Sequence, residues 1–122
     1  MRVLMLCVVL ASSGCASALV AAEGAIHRSI AVTQDTANAV CDAGIKDAAS
    51  CQQFNVRLIP VITSAKAFNR AVRENSAAEI PAMLAAIVSL RDAVMAFFPP
   101  EMVEALKARA ESAYALVAGL RR

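Results

Sequence analysis

Residues 81–98 read PAMLAAIVSLRDAVMAFF, and the spacing within them sets the architecture. Met83, Ile87, Leu90, Val94 and Phe97 recur at steps of three and four, which places their side chains on one face of an α-helix. Leu84, Val88, Met95 and Phe98 widen that stripe, and only Ser89, Arg91 and Asp92 interrupt it. A helix apolar over so much of its circumference must be covered on several sides. It is therefore the expected centre of a helical core. Pro81 suits the first helical turn, where its missing N–H is no loss. Ser76 and Glu79, just upstream, have the spacing of a capping box, and Pro99-Pro100 ends this helix and starts the next.

The same periodicity recurs on both sides. Downstream, Val103, Leu106, Ala110, Ala113, Val117 and Leu120 form the apolar stripe of a last helix. Upstream, Phe54, Leu58, Val61, Ala65, Phe68 and Val72 keep the cleanest register. Pro60 falls inside that helix and removes one backbone donor, and the β-branched Val56, Ile59, Val61, Ile62 and Thr63 lower helix propensity around it. A kink is expected at Pro60, and any break would fall there. Ile26, Ile30, Thr33, Ala37 and Val40 line a first helix, which Gly44 closes as a left-handed cap. Short connections at 43–50, 75–80 and 98–100 force successive helices to run antiparallel. The expected fold is all-α, an up-down bundle of four helices behind an N-terminal signal segment.

Composition agrees. The chain is 59% hydrophobic, with only 4 Gly and 4 Pro, which suits packed helices and argues against disorder. A formal charge of +2 gives no case for nucleic acid, which needs a concentrated basic face. Trp is absent, and Phe54, Phe68, Phe97, Phe98 and Tyr114 are spread along apolar helix faces, so no stacking platform is legible.

The N-terminus carries an address. Arg2 is followed by an apolar run over residues 3–11 and then by Ser12-Ser13-Gly14-Cys15, which are the parts of a secretory signal. Ser13-Gly14-Cys15 resembles the lipobox of bacterial prolipoproteins, with Ser12 standing where that family prefers Leu. The resemblance implies cleavage before Cys15 and attachment of a thioether-linked diacylglycerol and an amide-linked acyl chain to it. Several acyl chains together make a lasting anchor, where one alone holds only marginally. Ala16 after the cysteine implies sorting to the periplasmic face of the outer membrane. The domains would then be residues 1–14 as signal peptide, 15–24 as lipidated tether and 25–122 as helical bundle. Two alternatives stay open. Ala16-Ser17-Ala18 and Val20-Ala21-Ala22 look like ordinary signal-peptidase sites that would release a soluble domain. Residues 3–22, free of charge, are also long enough to span a bilayer uncleaved.

The four cysteines sort by position. Cys7 lies in the signal and Cys15 at the lipidation site, leaving Cys41 and Cys51 as a disulfide in an oxidising compartment. Neither a Cys-x-x-Cys spacing nor a neighbouring histidine suggests redox or metal chemistry. His27, the one histidine, stands beside Arg28 as a solvated residue. The sequence implies no metal and no cofactor. Glu101, Glu104 and Glu111 with Lys107 and Arg109 have the spacing of a solvated, ion-paired helix face. Lys66, Arg70 and Arg73 form a basic stripe, suited either to plain solvation or to anionic headgroups or a partner's acidic patch. Gln34, Asp35 and Asn38, with Asn69 facing them, suggest hydrogen bonding between helices or a small-ligand pocket.

These features point to a non-enzymatic, lipid-anchored helical envelope protein. It would hold the membrane through lipid at Cys15 and act by contact with another envelope protein, whose identity the sequence leaves open. The layout of short lipoprotein signal, helix ending in Asp42-Ala43-Gly44-Ile45 and Ala-rich hairpin resembles small helical lipoproteins of phages and prophages, which implies superinfection exclusion or envelope modification. A second class is a soluble exported binding protein holding a small apolar ligand in a cavity between its helices. A third, insertion of residues 81–98 into a membrane, is opposed by Arg91 and Asp92, which together cost about 5–7 kcal/mol at a bilayer centre.

Overall fold

Four periodic stretches become four helices in the computed structural model, which describes residues 13–120 and, for residues 13–17, the backbone alone. They are α1 (Ser13–Asp42), α2 (Ala48–Arg73), α3 (Ile80–Phe97) and α4 (Pro100–Gly119), with no strand among the described residues. Each helix packs on its neighbours in chain order, and α4 returns to pack on α1, closing an up-down bundle. Residues 1–12 of the expected signal, Cys7 included, lie outside the described residues.

α1 begins well before Ile26, the first residue of its expected stripe. Ala16, Ala18, Ala21, Ala22 and Ala25 precede or adjoin that stripe, and Ala is the strongest helix former. Residues 15–24, read as tether, are accordingly helical, and Ala22 is fully buried. Gly44 takes a left-handed φ of 76°. Its N–H donates to the Cys41 carbonyl and the Ile45 N–H to that of Val40, the paired bonds of a Schellman cap. The same device ends α2, with Asn75 at φ 55°, its N–H on Val72 and the Ser76 N–H on Ala71. Asn tolerates this conformation because its short side chain does.

α2 opens on Asp47, whose carboxylate accepts from the Ser50 backbone N–H at 2.7 Å. The helix then runs unbroken through Pro60. The proline sits on the solvent face, so the Val56 carbonyl it leaves unbonded meets water. α3 starts at Ile80 with Pro81 in its first turn, close to the expected start, and the Ser76–Glu79 spacing forms no capping box. Ser76 Oγ accepts from the Ala78 N–H, and Glu79, at the cap position, makes no side-chain capping bond. A helix begun at Ser76 would need the Pro81 N–H for its bond to the Ala77 carbonyl, and proline has none.

The core follows the expected stripes. Met83, Ile87, Leu90, Val94 and Phe97 of α3 are buried, with Leu84 and Phe98 beside them. They meet Ile26, Ile30, Ala37 and Val40 of α1, Phe54, Leu58, Val61 and Phe68 of α2, and Leu106, Ala110, Ala113 and Val117 of α4. Met95, expected to widen the α3 stripe, is half exposed, because it lies beyond the arc that α2 and α4 cover. Three aromatics expected on separate faces converge. Phe54 stacks on Phe97 at 4.3 Å between ring centroids, and Phe98 meets both edge-on at 5.3 and 5.0 Å. Lys46 Nζ lies 5.7 Å from the Phe97 ring centre, within cation–π range.

Two hydroxyls break the apolar interior. Ser29 and Thr33 are buried on the core face of α1, and neither hydroxyl has a hydrogen-bond partner among the described residues. Thr36, one turn on, instead donates to the Val32 carbonyl at 2.7 Å.

Candidate functional site

An up-down bundle has two ends, and the residues singled out in the sequence divide between them. The α1–α2 and α3–α4 connections share one end with the disulfide and the phenylalanine cluster. The start of α1, the α2–α3 connection and the end of α4 share the other. The backbone of Cys15 belongs to the first turn of α1 at this second end. Its side chain lies outside what the structure describes.

Cys41 and Cys51 are bonded, with sulfurs 2.08 Å and Cα atoms 6.2 Å apart. Cys41 closes α1 and Cys51 opens α2, so the bridge pins the first hairpin against the core. It also fixes the register of that hairpin. Equal steps back from Cys41 and on from Cys51 bring Glu23 opposite Asn69. With the Asn69 amide turned to satisfy both ends, its nitrogen donates to Glu23 Oε2 at 2.9 Å and to the Ala65 carbonyl at 3.3 Å. Asn69 therefore does not face Gln34, Asp35 or Asn38. Gln34, Asp35 and Asn38 lie exposed toward the opposite end of α1, and the pocket they suggested is not assembled.

Lys66, Arg70 and Arg73 are all exposed on the outward face of α2. Arg70 and Arg73 occupy its last turn, where carbonyl ends favour cations. None of the three takes part in an ion pair among the described residues. The stripe stands at the bundle end that carries the start of α1.

The remaining polar candidates stay apart. His27 is exposed, and no group of three His, Cys, Asp or Glu side chains among the described residues is placed to hold a metal. Glu101, Glu104 and Glu111 are exposed, but they form no ion pair with Lys107 or Arg109. The pair found among the described residues joins Arg91 to Asp92 at 3.5 Å. Long solvated side chains gain little from pairing at such spacing. The Asp47 carboxyl is held below the usual range by the Ser50 backbone N–H, then by the Ser50 hydroxyl and the charge of Lys46.

The void lined by Ile26, Ser29, Val61, Met83, Leu90 and Ala113 is too small to hold a ligand. α3 is apolar and long enough to cross a membrane, yet half of it is buried as the core helix. No protein-family model matches the chain, and no curated protein or solved structure shows significant similarity to it.

Proposed function

We propose that the chain is an exported lipoprotein, anchored through Cys15 at the periplasmic face of the outer membrane, whose helical bundle acts by contact with envelope proteins. One positional observation supports the reading beyond the Ser13-Gly14-Cys15 motif. The bundle end that carries the start of α1 also carries Lys66, Arg70 and Arg73, exposed and without ion pairs among the described residues. From Cys15 to Ala22, the first buried residue among the described side chains of α1, the helix rises only about 10 Å. A lipid at Cys15 would hold that end against the headgroups, where each basic residue contributes about 1 kcal/mol near an anionic surface.

The burial of Ala22 also bears on the cleavage site. A mature chain starting at Glu23 would lose Ala22 from the core and leave the Glu23–Asn69 bond on a frayed terminus. Cleavage before Cys15 keeps both, as does cleavage after Ala18, so burial argues only against a start at Glu23. The test is Cys15→Ala in cells fed labelled palmitate. Loss of label and release from the membrane fraction are the expected results. A Cys15→Ala chain that stays membrane-bound, beside an unlabelled parent chain, would refute the anchor.

A further inference from the structure

Between α3 and α4 the surface opens into a groove of about 280 Å3. Ile87, Val88, Ala110 and Tyr114 form its walls, and Arg91 and Glu111 line it as well. The helical repeat brings these residues together. Ile87 and Arg91 are one turn apart on α3, and Ala110 and Tyr114 are one turn apart on α4.

The two charged groups are not spent on each other. No ion pair joins Arg91 to Glu111. The Arg91 side chain is 38% exposed, and among the described residues its guanidinium reaches only Asp92, at 3.5 Å, the outer limit of a hydrogen bond. Glu111 is exposed and makes no ion pair among the described residues. The groove thus presents a guanidinium with donors to spare and a carboxylate with acceptors to spare.

We propose that this groove binds a free apolar α-amino acid about the size of leucine or phenylalanine. Its carboxylate accepts from Arg91, its ammonium donates to Glu111, and its side chain lies against Ile87, Val88, Ala110 and Tyr114. Each alternative leaves a group unmatched. A simple fatty carboxylate satisfies Arg91 but meets the negative charge of Glu111, and an apolar amine leaves the Arg91 guanidinium without an acceptor. A zwitterion answers both and brings no net charge into the groove. The volume sits just below the roughly 300–1,000 Å3 of drug-sized sites, which suits one small molecule and not a peptide. Apart from the Tyr114 hydroxyl the walls are apolar, so an apolar side chain is the better match for them. This inference does not depend on lipidation at Cys15.

An NMR titration of amide resonances in the purified chain tests it, with leucine as probe and two truncated analogues. Isocaproate lacks the ammonium and isoamylamine lacks the carboxylate. Leucine should give saturable shifts at residues 87–91 and 110–114. Each analogue should bind about ten- to a hundredfold more weakly, the range for losing one charge-assisted contact. Arg91→Gln should weaken leucine by a similar factor. Glu111→Gln should weaken leucine while improving isocaproate, because it removes the repulsion along with the ammonium's partner. Absence of saturable shifts with leucine would overturn the proposal, as would isocaproate binding as tightly as leucine. Should either variant fail to fold, the analogue series on the parent chain still decides.

Discussion

Thr33→Val should make the protein more stable. Thr33 is completely buried on the core face of α1, and its hydroxyl has no hydrogen-bond partner among the described residues. Valine replaces that hydroxyl with a methyl of nearly the same size, so no void opens and the β-branched backbone preference is kept. What changes is the penalty for holding an unpaired polar group away from water, about 1–3 kcal/mol. A gain of about 1–2 kcal/mol is therefore expected, and each kcal/mol corresponds to roughly 4–8 °C in melting temperature for a domain of this size. Thr36→Val supplies the control on the same helix. Its hydroxyl donates to the Val32 carbonyl at 2.7 Å, so the same substitution removes a bond that is made. That variant should be neutral or less stable by up to about 1 kcal/mol. Urea unfolding followed by circular dichroism reads both, provided the slope stays constant. If Thr33→Val lowers the midpoint as much as Thr36→Val does, the Thr33 hydroxyl is bonded in solution and the dry interior described around it is wrong.

Replacing Cys41 and Cys51 together by Ala should cost about 2.7 kcal/mol by the chain-entropy estimate for residues ten apart, read from the same urea midpoints. Leu90→Ala, at the centre of α3 and fully covered, should cost about 2–5 kcal/mol, whereas Glu104→Ala on the exposed face of α4 should stay within about 0.5 kcal/mol. Equal effects of these two would place α3 outside the core and reopen its insertion into a membrane. Asp47→Ala should lower the melting temperature at neutral pH, and Asp47→Asn, which keeps a capping oxygen, should lower it less. Because folding depresses the Asp47 carboxyl below its ordinary 3.8, its contribution is complete above that value and disappears as pH falls through the lower, folded value. The difference between parent and Asp47→Ala should vanish with it in an acid melting series.

Features set by neighbours along the chain were readable from sequence. The stripe from Ile26 to Val40 and the stripe centred on Ile87 and Leu90 are buried as their spacing requires, because a helix that buries one face announces it every three or four residues. Gly44 was readable as a cap for the same local reason. Asn75, which plays the identical part after α2, was not, since asparagine in a connection has many other uses. Features requiring two helices to be placed together were harder. Phe54 meets Phe97 and Phe98 only after α3 has folded back along α2, and the α3–α4 groove exists only in the packed bundle. The register of the first hairpin lay between these cases. Once Cys41 is set against Cys51, antiparallel stepping leads to Glu23 and Asn69, yet reading Asn69 against Asn38 ignored that constraint. Pro60 shows the converse, because its cost depends on whether the freed carbonyl faces water, which packing settles and sequence does not.

Mass spectrometry of the mature N-terminus, on protein recovered from the envelope fraction, bears on the anchor without intermediaries. The proposed function requires a chain beginning at Cys15 that carries a diacylglycerol on its sulfur and an acyl chain on its amino group. A mature chain beginning at Leu19 or Glu23 without lipid, or one still beginning at Met1, would contradict it.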